Sequence, residues 1–299
     1  MTSQGTLSVV LGDYPHTAPL KSGAIPIEGV ACSFPQVTPL PGAFARMVRE
    51  LEFDVCEMAL TTYIQAREAG VPVTLLPAVM VGGTHHRSLI RWPGGSLIGP
   101  RELIGQAVGV RAYGQTTGMW VRGILREEHQ VQAGDITWLT TEDCHVAQYT
   151  EPDNVERGSG SIGEWLRAGT VSAAILSPRE VADQGVELVP VIPDAADAAA
   201  AWIERHQTVP VNHMVVVRSD LIESDPDAVR AVYAALARAI DATARERGEA
   251  PAERVIASGW TDALRRSADV ATRYCLEQRL LRAPLDWAQA EREVRILDA

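Results

Sequence analysis

The sequence lacks the segments that would attach it to a membrane or export it. No window of its 299 residues approaches the roughly 18 consecutive apolar residues of a membrane-spanning helix. Near the start, the run VVLG is short and no basic region precedes it, whereas a secretory signal needs an apolar core of about 7–15 residues. We therefore expect a cytoplasmic protein that is not attached to a membrane.

An excess of positive charge and the common nucleotide-binding loops are also lacking. Lys and Arg number 27 against 38 Asp and Glu, so the net charge is −11. This charge makes nucleic acids and anionic membrane surfaces poor partners, and a small anion would bind only where arginines gather locally. Neither G-x-G-x-x-G nor G-x-x-x-x-G-K-[ST] occurs, so a nucleotide ligand is not favoured.

Cysteine is scarce and widely spaced. The four cysteines form no C-x-x-C pair, and three of them lie within or beside apolar runs: Cys32, Cys56, Cys144 and Cys275. This spacing is unlike a disulfide framework or a zinc motif, so we expect reduced and mostly buried thiols.

What the sequence does contain is an alternation of short apolar runs with amphipathic stretches. LSVVLG, VPVTLLPAVM and VNHMVVVRSD are typical of strands, and ALTTYIQAREAG is typical of a helix. The C-terminal part is helical, beginning with Asp225 as N-cap and Pro226 at the first helical position. This order predicts an α/β protein with mostly parallel sheets flanked by helices.

Two positions resemble crossings between lobes. The strand–helix pattern restarts after Pro100, and Pro210 interrupts the chain before an apolar strand. We therefore predict a discontinuous lobe I from residues 1–104 and 210–299, and a lobe II from residues 105–209. Two lobes joined in this way would form a ligand cleft that closes by hinge motion.

The segment AYGQTTGMWVRG is the first candidate for binding. Thr116 or Thr117 would cap a helix whose free N–H groups and dipole favour an anion. Arg122 would add a cation and Trp120 an aromatic wall. The alternative is an ordinary cap on a strand–helix turn.

Glu57 and His213 are candidates for acid–base chemistry. Glu57 follows an apolar strand where the chain turns into a helix, and His213 begins an apolar strand at a predicted crossing. Burial of such a carboxyl in a partly dry cleft would suit it to proton transfer. Each residue also has a structural alternative, as a charge at a helix start for Glu57 and as a satisfied core histidine for His213.

The triplet His85-His86-Arg87 could form a metal site, an anion site or a solvated strand end. On a strand, adjacent side chains point to opposite faces, so neighbouring histidines chelate one ion poorly. Arginine offers a planar fork that matches a carboxylate. An anion-binding edge is therefore favoured over a metal site.

Several segments together resemble the 4,5-dihydroxyphthalate decarboxylase family. The resemblance rests on FARMVRELEFDVCEMALTTYI, HHRSLI, IGQAVGVRAYGQTTGMWVRGILREEHQV, GDITWL and PVNHMVVVRSDLIESDP, in family order over most of residues 40–280. It implies a cofactor-independent aromatic-acid decarboxylase on the two-lobed fold of type II periplasmic binding proteins. The family pattern falls on Arg46, Glu57, Tyr113, Trp120, Arg122 and His213, with Arg46 expected among the substrate-binding residues.

This sequence departs from the family pattern at three places. His86-Arg87-Ser88 replaces the usual order of arginine, histidine and serine. PVN precedes the histidine of the return strand in place of a more apolar segment, and the acidic TTEDCH follows DITWL in place of a glycine-rich run. These departures concern the substrate more than the fold.

The resemblance implies roles for these residues in decarboxylation of a small anionic aromatic acid. Arg87, Arg122 and the helix start at residues 116–118 would bind carboxylate, while Tyr113 and Trp120 would pack on the ring. His86 would contact the phenol or the ring. Glu57 and His213 would be the acid and base, with the proton donor left open between them. No organic cofactor and no metal ligand is predicted, although assistance by a divalent metal stays open.

Two alternatives remain at this stage. The fold could serve a binding or sensor protein without chemistry, or an enzyme that acts on a non-aromatic acid. The sequence does not determine the oligomeric state, and a homodimer is a hypothesis.

Overall fold

The computed structural model describes residues 5–95, 99–250 and 254–298. The strands are Leu7–Val10 (β1), Cys32–Ser33 (β2), Val55–Ala59 (β3), Val73–Gly82 (β4), Leu89–Arg91 (β5), Ala107–Val110 (β6), Thr137–Thr140 (β7), Val155–Arg157 (β8), Ala173–Ile175 (β9), Val189–Pro190 (β10) and Val211–Arg218 (β11). The helices are Ala18–Lys21 (α1), Pro41–Glu50 (α2), Leu60–Glu68 (α3), Thr116–His129 (α4), Ile162–Ala168 (α5), Pro178–Ala182 (α6), Ala195–His206 (α7), Ser219–Ser224 (α8), Pro226–Glu246 (α9), Asp262–Glu277 (α10) and Trp287–Glu293 (α11). Short 3-10 helices span Pro100–Leu103, Ala133–Asp135 and Arg295–Asp298.

The predicted α/β class is confirmed, and the chain forms two compact units. The first comprises Met1–Gly83, Val211–Arg265 and Leu285–Ala299, and the second comprises Thr84–Pro210 and Arg266–Pro284. Both sheets are mixed, with five parallel and four antiparallel pairings among the described strands. In the described part of the chain, no helix has the length and apolarity needed to cross a membrane.

The sheet of the first unit has the order β2-β1-β3-β11-β4. β3 and β4 are joined by α3, and β11 enters between them, antiparallel to both. One face of this sheet packs against α9 through apolar side chains that include Val9, Val55, Val215 and Leu236. Asp225 caps α9 as predicted, since its carboxylate accepts a hydrogen bond from the Ala228 N–H at 3.2 Å.

The sheet of the second unit has the order β10-β5-β9-β6-β7-β8. Helix α4 connects the parallel strands β6 and β7. Its Trp120 is fully buried in edge-to-face contact with Trp202 and Tyr274. These contacts place the Trp120 side chain of α4 in the interior of this unit.

The compact units differ in extent from the predicted lobes at two places. Residues 84–104 lie in the second unit, because β5 pairs antiparallel with β9 and β10. Residues 266–284 also lie there, because the Gln278 side chain bonds to the Met119 carbonyl and to Arg122. Neither contact has a local signature in the sequence, and the functional lobe limits stay a prediction.

Gly123 on α4 lies directly beneath the Tyr274 ring, so a Cβ there would overlap the ring atoms. We expect Gly123→Ala to lower the free energy of unfolding by about 2 kcal/mol or more, despite the better helix propensity of alanine. Denaturant unfolding measures the change. Gly134→Ala is the matched control, because a Cβ at Gly134 meets nothing within 4 Å; equal effects of the two substitutions would contradict this packing.

Candidate functional site

The structure brings Glu57 and His213 together on one face of the first unit's sheet. Across the antiparallel pair β3–β11, Glu57 is opposite Val215 and His213 is opposite Ala59. The two side chains are therefore diagonal neighbours, a position from which long side chains meet. Glu57 is the middle residue of β3, and not the residue after the strand as predicted, while His213 is the third residue of β11.

The strand on the other side of His213 is irregular. The register between β11 and β4 shifts on both sides of His213. Pro77 lies in this part of β4 and has no N–H to donate. Two residues further along β4, the Val79 N–H donates outside the β4–β11 ladder, to the Ala257 carbonyl at 2.8 Å. Such bulges re-aim side chains and are common beside active sites.

Glu57 is completely buried, and three donors satisfy its carboxylate. Oε2 accepts a hydrogen bond from the Gly12 N–H at 2.8 Å. Oε1 accepts from the Tyr14 hydroxyl at 2.9 Å and lies 2.7 Å from Nδ1 of His213. A buried carboxylate needs such partners, and here both of its oxygens accept hydrogen bonds from the protein.

His213 is the more accessible member of the pair, with its side chain 22% exposed. The Phe44 ring meets the imidazole edge-on, with 5.1 Å between the ring centroids. Because a carboxylate oxygen of Glu57 can only accept a hydrogen bond, the hydrogen-bond network assigns a proton to Nδ1 of His213. Exchange of a proton with a small molecule would therefore take place at Nε2.

Sequence reasoning missed the loop that follows β1. Gly12 and Tyr14 both bind Glu57, and the His16 ring stacks on the Tyr14 ring with 5.0 Å between centroids. Burial, and then the charge of Glu57, raise the pKa of Tyr14, so its hydroxyl remains a donor. Burial lowers the pKa of His16 and favours the neutral imidazole. The available signal was a tyrosine and a histidine at the carboxyl end of a strand, where ligands bind in α/β proteins.

Arg46 lies on α2, the helix that also carries Phe44. Its guanidinium pairs with Glu52 at the surface and stacks on Phe53, with Cζ 4.9 Å from the ring centroid. Arg46 therefore forms an ion pair at the surface, and its predicted substrate-binding role stays a prediction.

Arg122 is buried in the second unit. Its Nε donates to the Gln278 side chain at 2.7 Å and its Nη2 to the Tyr113 carbonyl at 2.6 Å. Burial lowers the pKa of this arginine. Within residues 5–95, 99–250 and 254–298, no carboxylate pairs with it and Nη1 has no hydrogen-bond partner.

Tyr113 and Trp120 are also interior residues of the second unit. The Tyr113 ring lies 4.0 Å from Cζ of Arg122, and its hydroxyl donates to the Gln278 carbonyl at 3.0 Å. Trp120 has no exposed surface. Both aromatic side chains pack against the protein itself, and their predicted contact with a substrate ring stays a prediction.

The predicted cap of α4 is wrong in detail. Gln115 is the N-cap, with extended backbone angles, while Thr116 and Thr117 are the first two helical residues. Thr116 is buried, so its side chain belongs to the interior of the turn. The helix start still follows β6 through a short turn, as predicted.

The histidine–arginine triplet is not on a strand. β4 ends at Gly82 and β5 begins at Leu89, so the alternation of strand faces does not apply. A turn closed by the Ser88 N–H and the His85 carbonyl at 2.9 Å instead buries both histidines and exposes Arg87. Nε2 of His86 lies 3.3 Å from a carboxylate oxygen of Glu128, without hydrogen-bond geometry.

Metal-ligating side chains do not cluster in the described ranges. No group of three or more His, Cys, Asp or Glu residues there is arranged to hold a metal ion.

Two curated relatives share this sequence at about 30% identity. The 4,5-dihydroxyphthalate decarboxylase of Comamonas testosteroni is 29% identical over 239 residues, covering 74% of this chain and 70% of that protein. The 4,5-dihydroxyphthalate decarboxylase of Pseudomonas putida is 31% identical over 134 residues, covering 44% of this chain and 52% of that protein. The match therefore spans about half of the second relative. No protein-family model matches the chain.

The solved structures identify the fold. The periplasmic aliphatic sulphonate binding protein SsuA from Escherichia coli matches with a TM-score of 0.61 at 13% identity, over 96% of this chain and 92% of that one. A likeness at this identity indicates the fold alone. The predicted resemblance is confirmed: the chain is a homologue of 4,5-dihydroxyphthalate decarboxylases, with a periplasmic-binding-protein-like fold.

Proposed function

We propose that this protein decarboxylates 4,5-dihydroxyphthalate, or a close hydroxylated aromatic acid, to 3,4-dihydroxybenzoate or the corresponding product. The observation that carries the proposal is the pair formed by a fully buried Glu57 and a partly exposed His213, joined at 2.7 Å. The curated relatives carry the same reaction class in their names. A carboxylate–histidine pair supports proton transfer, which this decarboxylation requires.

The chemistry needs one proton and no external oxidant or reductant. A hydroxyl oxygen conjugated with the carbon that bears the carboxylate supplies electron density, and that carbon accepts a proton. The bond to the carboxylate then breaks, CO2 leaves, and the electron pair restores the aromatic ring. The net change replaces a carboxylate with hydrogen.

Geometry favours His213 as the group that transfers this proton. Its Nε2 is the ring nitrogen not engaged by Glu57, whereas both oxygens of Glu57 already accept protein hydrogen bonds. The buried charge of Glu57 stabilises the imidazolium form and holds the ring in one orientation. Glu57 is therefore a positioning residue in this proposal, and His213 is the acid.

The remaining roles are part of the proposal and rest on the resemblance. Arg87 and Arg122, with the start of α4, bind the carboxylates, while Tyr113 and Trp120 flank the ring and His86 approaches a hydroxyl. Exposure of Arg87 is consistent with a group available to a ligand. Burial of Arg122 gives that residue a structural role as well.

Two arginine substitutions separate binding from structure. We expect Arg87→Ala to raise KM about tenfold, a loss of roughly 1.4 kcal/mol of binding free energy, while the free energy of unfolding changes by about 0.5 kcal/mol or less.

We expect Arg122→Ala to lower the free energy of unfolding by about 3 kcal/mol. The substitution leaves a cavity and leaves the Gln278 side chain and the Tyr113 carbonyl without their hydrogen-bond donor. Steady-state kinetics and denaturant unfolding measure both. A stable Arg122→Ala protein with unchanged KM would remove Arg122 from both roles.

The proposal is tested by incubating the purified protein with 4,5-dihydroxyphthalate, 4-hydroxyphthalate and phthalate. CO2 release and a change in ring absorbance are expected with the dihydroxy acid. Binding of an aromatic acid without turnover would instead support a solute-binding or sensor protein. A cytoplasmic location and a homodimer remain hypotheses, which cell fractionation and light scattering test.

A further inference from the structure

Tyr14 and His213 share a single oxygen atom of Glu57. The Tyr14 hydroxyl donates to Oε1 at 2.9 Å, and Nδ1 of His213 lies 2.7 Å from the same atom. Oε2 is bound separately by the Gly12 N–H. A donor on Oε1 withdraws electron density from the oxygen that His213 uses, so it acts directly on the strength of the Glu57–His213 bond.

Gly12 makes this arrangement possible. A Cβ at Gly12 would overlap Cε2 and Cζ of the Tyr14 ring and lie 2.6 Å from its hydroxyl oxygen. Any other residue would force the ring away from Glu57. The spacing Gly12-Asp13-Tyr14 therefore places both a main-chain donor and a hydroxyl donor on one carboxylate.

The charged and titratable groups around the pair come from the loop after β1 with α1, from β3 itself, from α2 and from the end of α9. On the loop, Asp13 raises the pKa of Tyr14 and is itself paired with Lys21. Beside Glu57 on β3, burial and then the Glu57 charge raise the pKa of Cys56, which keeps that thiol neutral. His16 feels both Glu57 and Arg247, the residue after α9, and Arg46 on α2 acts on Cys56. Among these groups, Tyr14 is the one that donates to the shared oxygen.

We propose that Tyr14 is a positioning residue that sets the pH at which the Glu57–His213 pair takes up its catalytic proton. The catalytic role of this proton rests on the proposed function, whereas the hydrogen bonds of Tyr14 and His213 to Glu57 do not depend on it. With Tyr14 in place, Oε1 is a weaker base and the pair holds its proton less tightly. The acid therefore gives up its proton more readily to a ring carbon.

The direction of the effect follows from this geometry. Removing the Tyr14 hydroxyl takes one hydrogen-bond donor away from Oε1 of Glu57. Oε1 then becomes a stronger acceptor for the N–H of His213, so the imidazole binds its proton more tightly. We expect the midpoint of the His213 titration to lie at higher pH in Tyr14→Phe than in the wild type.

An NMR titration of the His213 ring tests the proposal without requiring turnover. The resonance is assigned by its loss in His213→Ala, and its midpoint is compared between the wild type and Tyr14→Phe. Gly12→Ala should shift the midpoint in the same direction, because it displaces the Tyr14 ring. Tyr233→Phe is the matched control and should not shift it, since the Tyr233 hydroxyl bonds to the Pro77 carbonyl at 3.3 Å.

Activity gives the second measurement. In Tyr14→Phe, the limb of the kcat profile that reports the pair should move to higher pH together with the NMR midpoint, with KM changed less than about threefold. An unchanged midpoint in Tyr14→Phe, or an equal shift in Tyr233→Phe, would overturn the proposal. A shifted midpoint in a protein that turns over no acid would retain the role of Tyr14 and refute the proposed function.

Discussion

His213→Ala is expected to lower kcat by about 10³-fold or more with little change in KM. The substitution removes Nε2, the group assigned to proton transfer, and a positioned acid contributes about 10²–10⁴-fold to a rate. It also leaves the buried Glu57 carboxylate without one of its donors. A loss confined to kcat indicates an interaction made in the transition state and not in ground-state binding.

A second histidine–glutamate pair in this chain provides the control. Nε2 of His206 lies 2.7 Å from Oε1 of Glu127, in the second unit. His206→Ala removes a comparable hydrogen bond, so its effect on stability should resemble that of His213→Ala while kcat stays within about threefold of the wild type. Similar losses of kcat in the two variants, each corrected for folded fraction, would contradict the special role of His213.

Glu57→Gln is expected to lower kcat by about 10²–10⁴-fold. Three donors surround the carboxylate, namely the Gly12 N–H, the Tyr14 hydroxyl and Nδ1 of His213. The amide NH2 of glutamine must face one of these donors, and a turn of the amide toward His213 would impose the wrong tautomer. Loss of the negative charge also destabilises the imidazolium form that donates the proton.

The matched control is Glu127→Gln. Burial alone would raise the pKa of Glu127, but hydrogen bonds from Arg273, Tyr274, His206 and Arg205 lower it to about 2. Glu127→Gln should therefore destabilise the fold at neutral pH and leave the kcat of the folded fraction unchanged. Full activity in Glu57→Gln, or a loss of kcat in Glu127→Gln equal to that in Glu57→Gln, would refute the assignment of Glu57.

The sequence predicted the features that depend on local pattern. The cap at Asp225 is set by one residue and its immediate successors, and the structure confirms it. The apolar strand that begins just before His213 was also predictable, because its side chains are buried on both faces. Glu57 was identifiable as an acid beside a buried apolar run, although the structure places it in the middle of β3 and its partners were not predictable.

The features that sequence reasoning missed depend on contacts between distant segments. Tyr14 became informative only when β1 and β3 paired and placed its hydroxyl on Glu57, 43 positions away. The triplet at residues 85–87 was misplaced on a strand, because the apolar runs on both sides hid a turn. The contacts of Gln278 drew part of the C-terminal helices into the second unit, and no local pattern announces them.

A fold of this kind does not determine whether a protein binds a solute or transforms it. The likeness to a sulphonate-binding protein concerns the fold alone. In the function that we propose, the buried Glu57 carboxylate and the partly exposed His213 imidazole are what would separate a decarboxylase from a binding protein. A binding protein needs only contacts that complement its ligand, whereas a decarboxylase also needs a group that transfers a proton.

The central claim is that this protein replaces a ring carboxylate with a proton, and reaction in D2O tests it most directly. The wild type should convert 4,5-dihydroxyphthalate to 3,4-dihydroxybenzoate with one CO2 released per product. Mass spectrometry should find one deuterium at the ring carbon that lost the carboxylate. The His213→Ala variant, prepared and assayed in the same way, should form product about 10³-fold more slowly. Tight binding of the acid by the wild type, with neither CO2 nor deuterated product, would contradict the account.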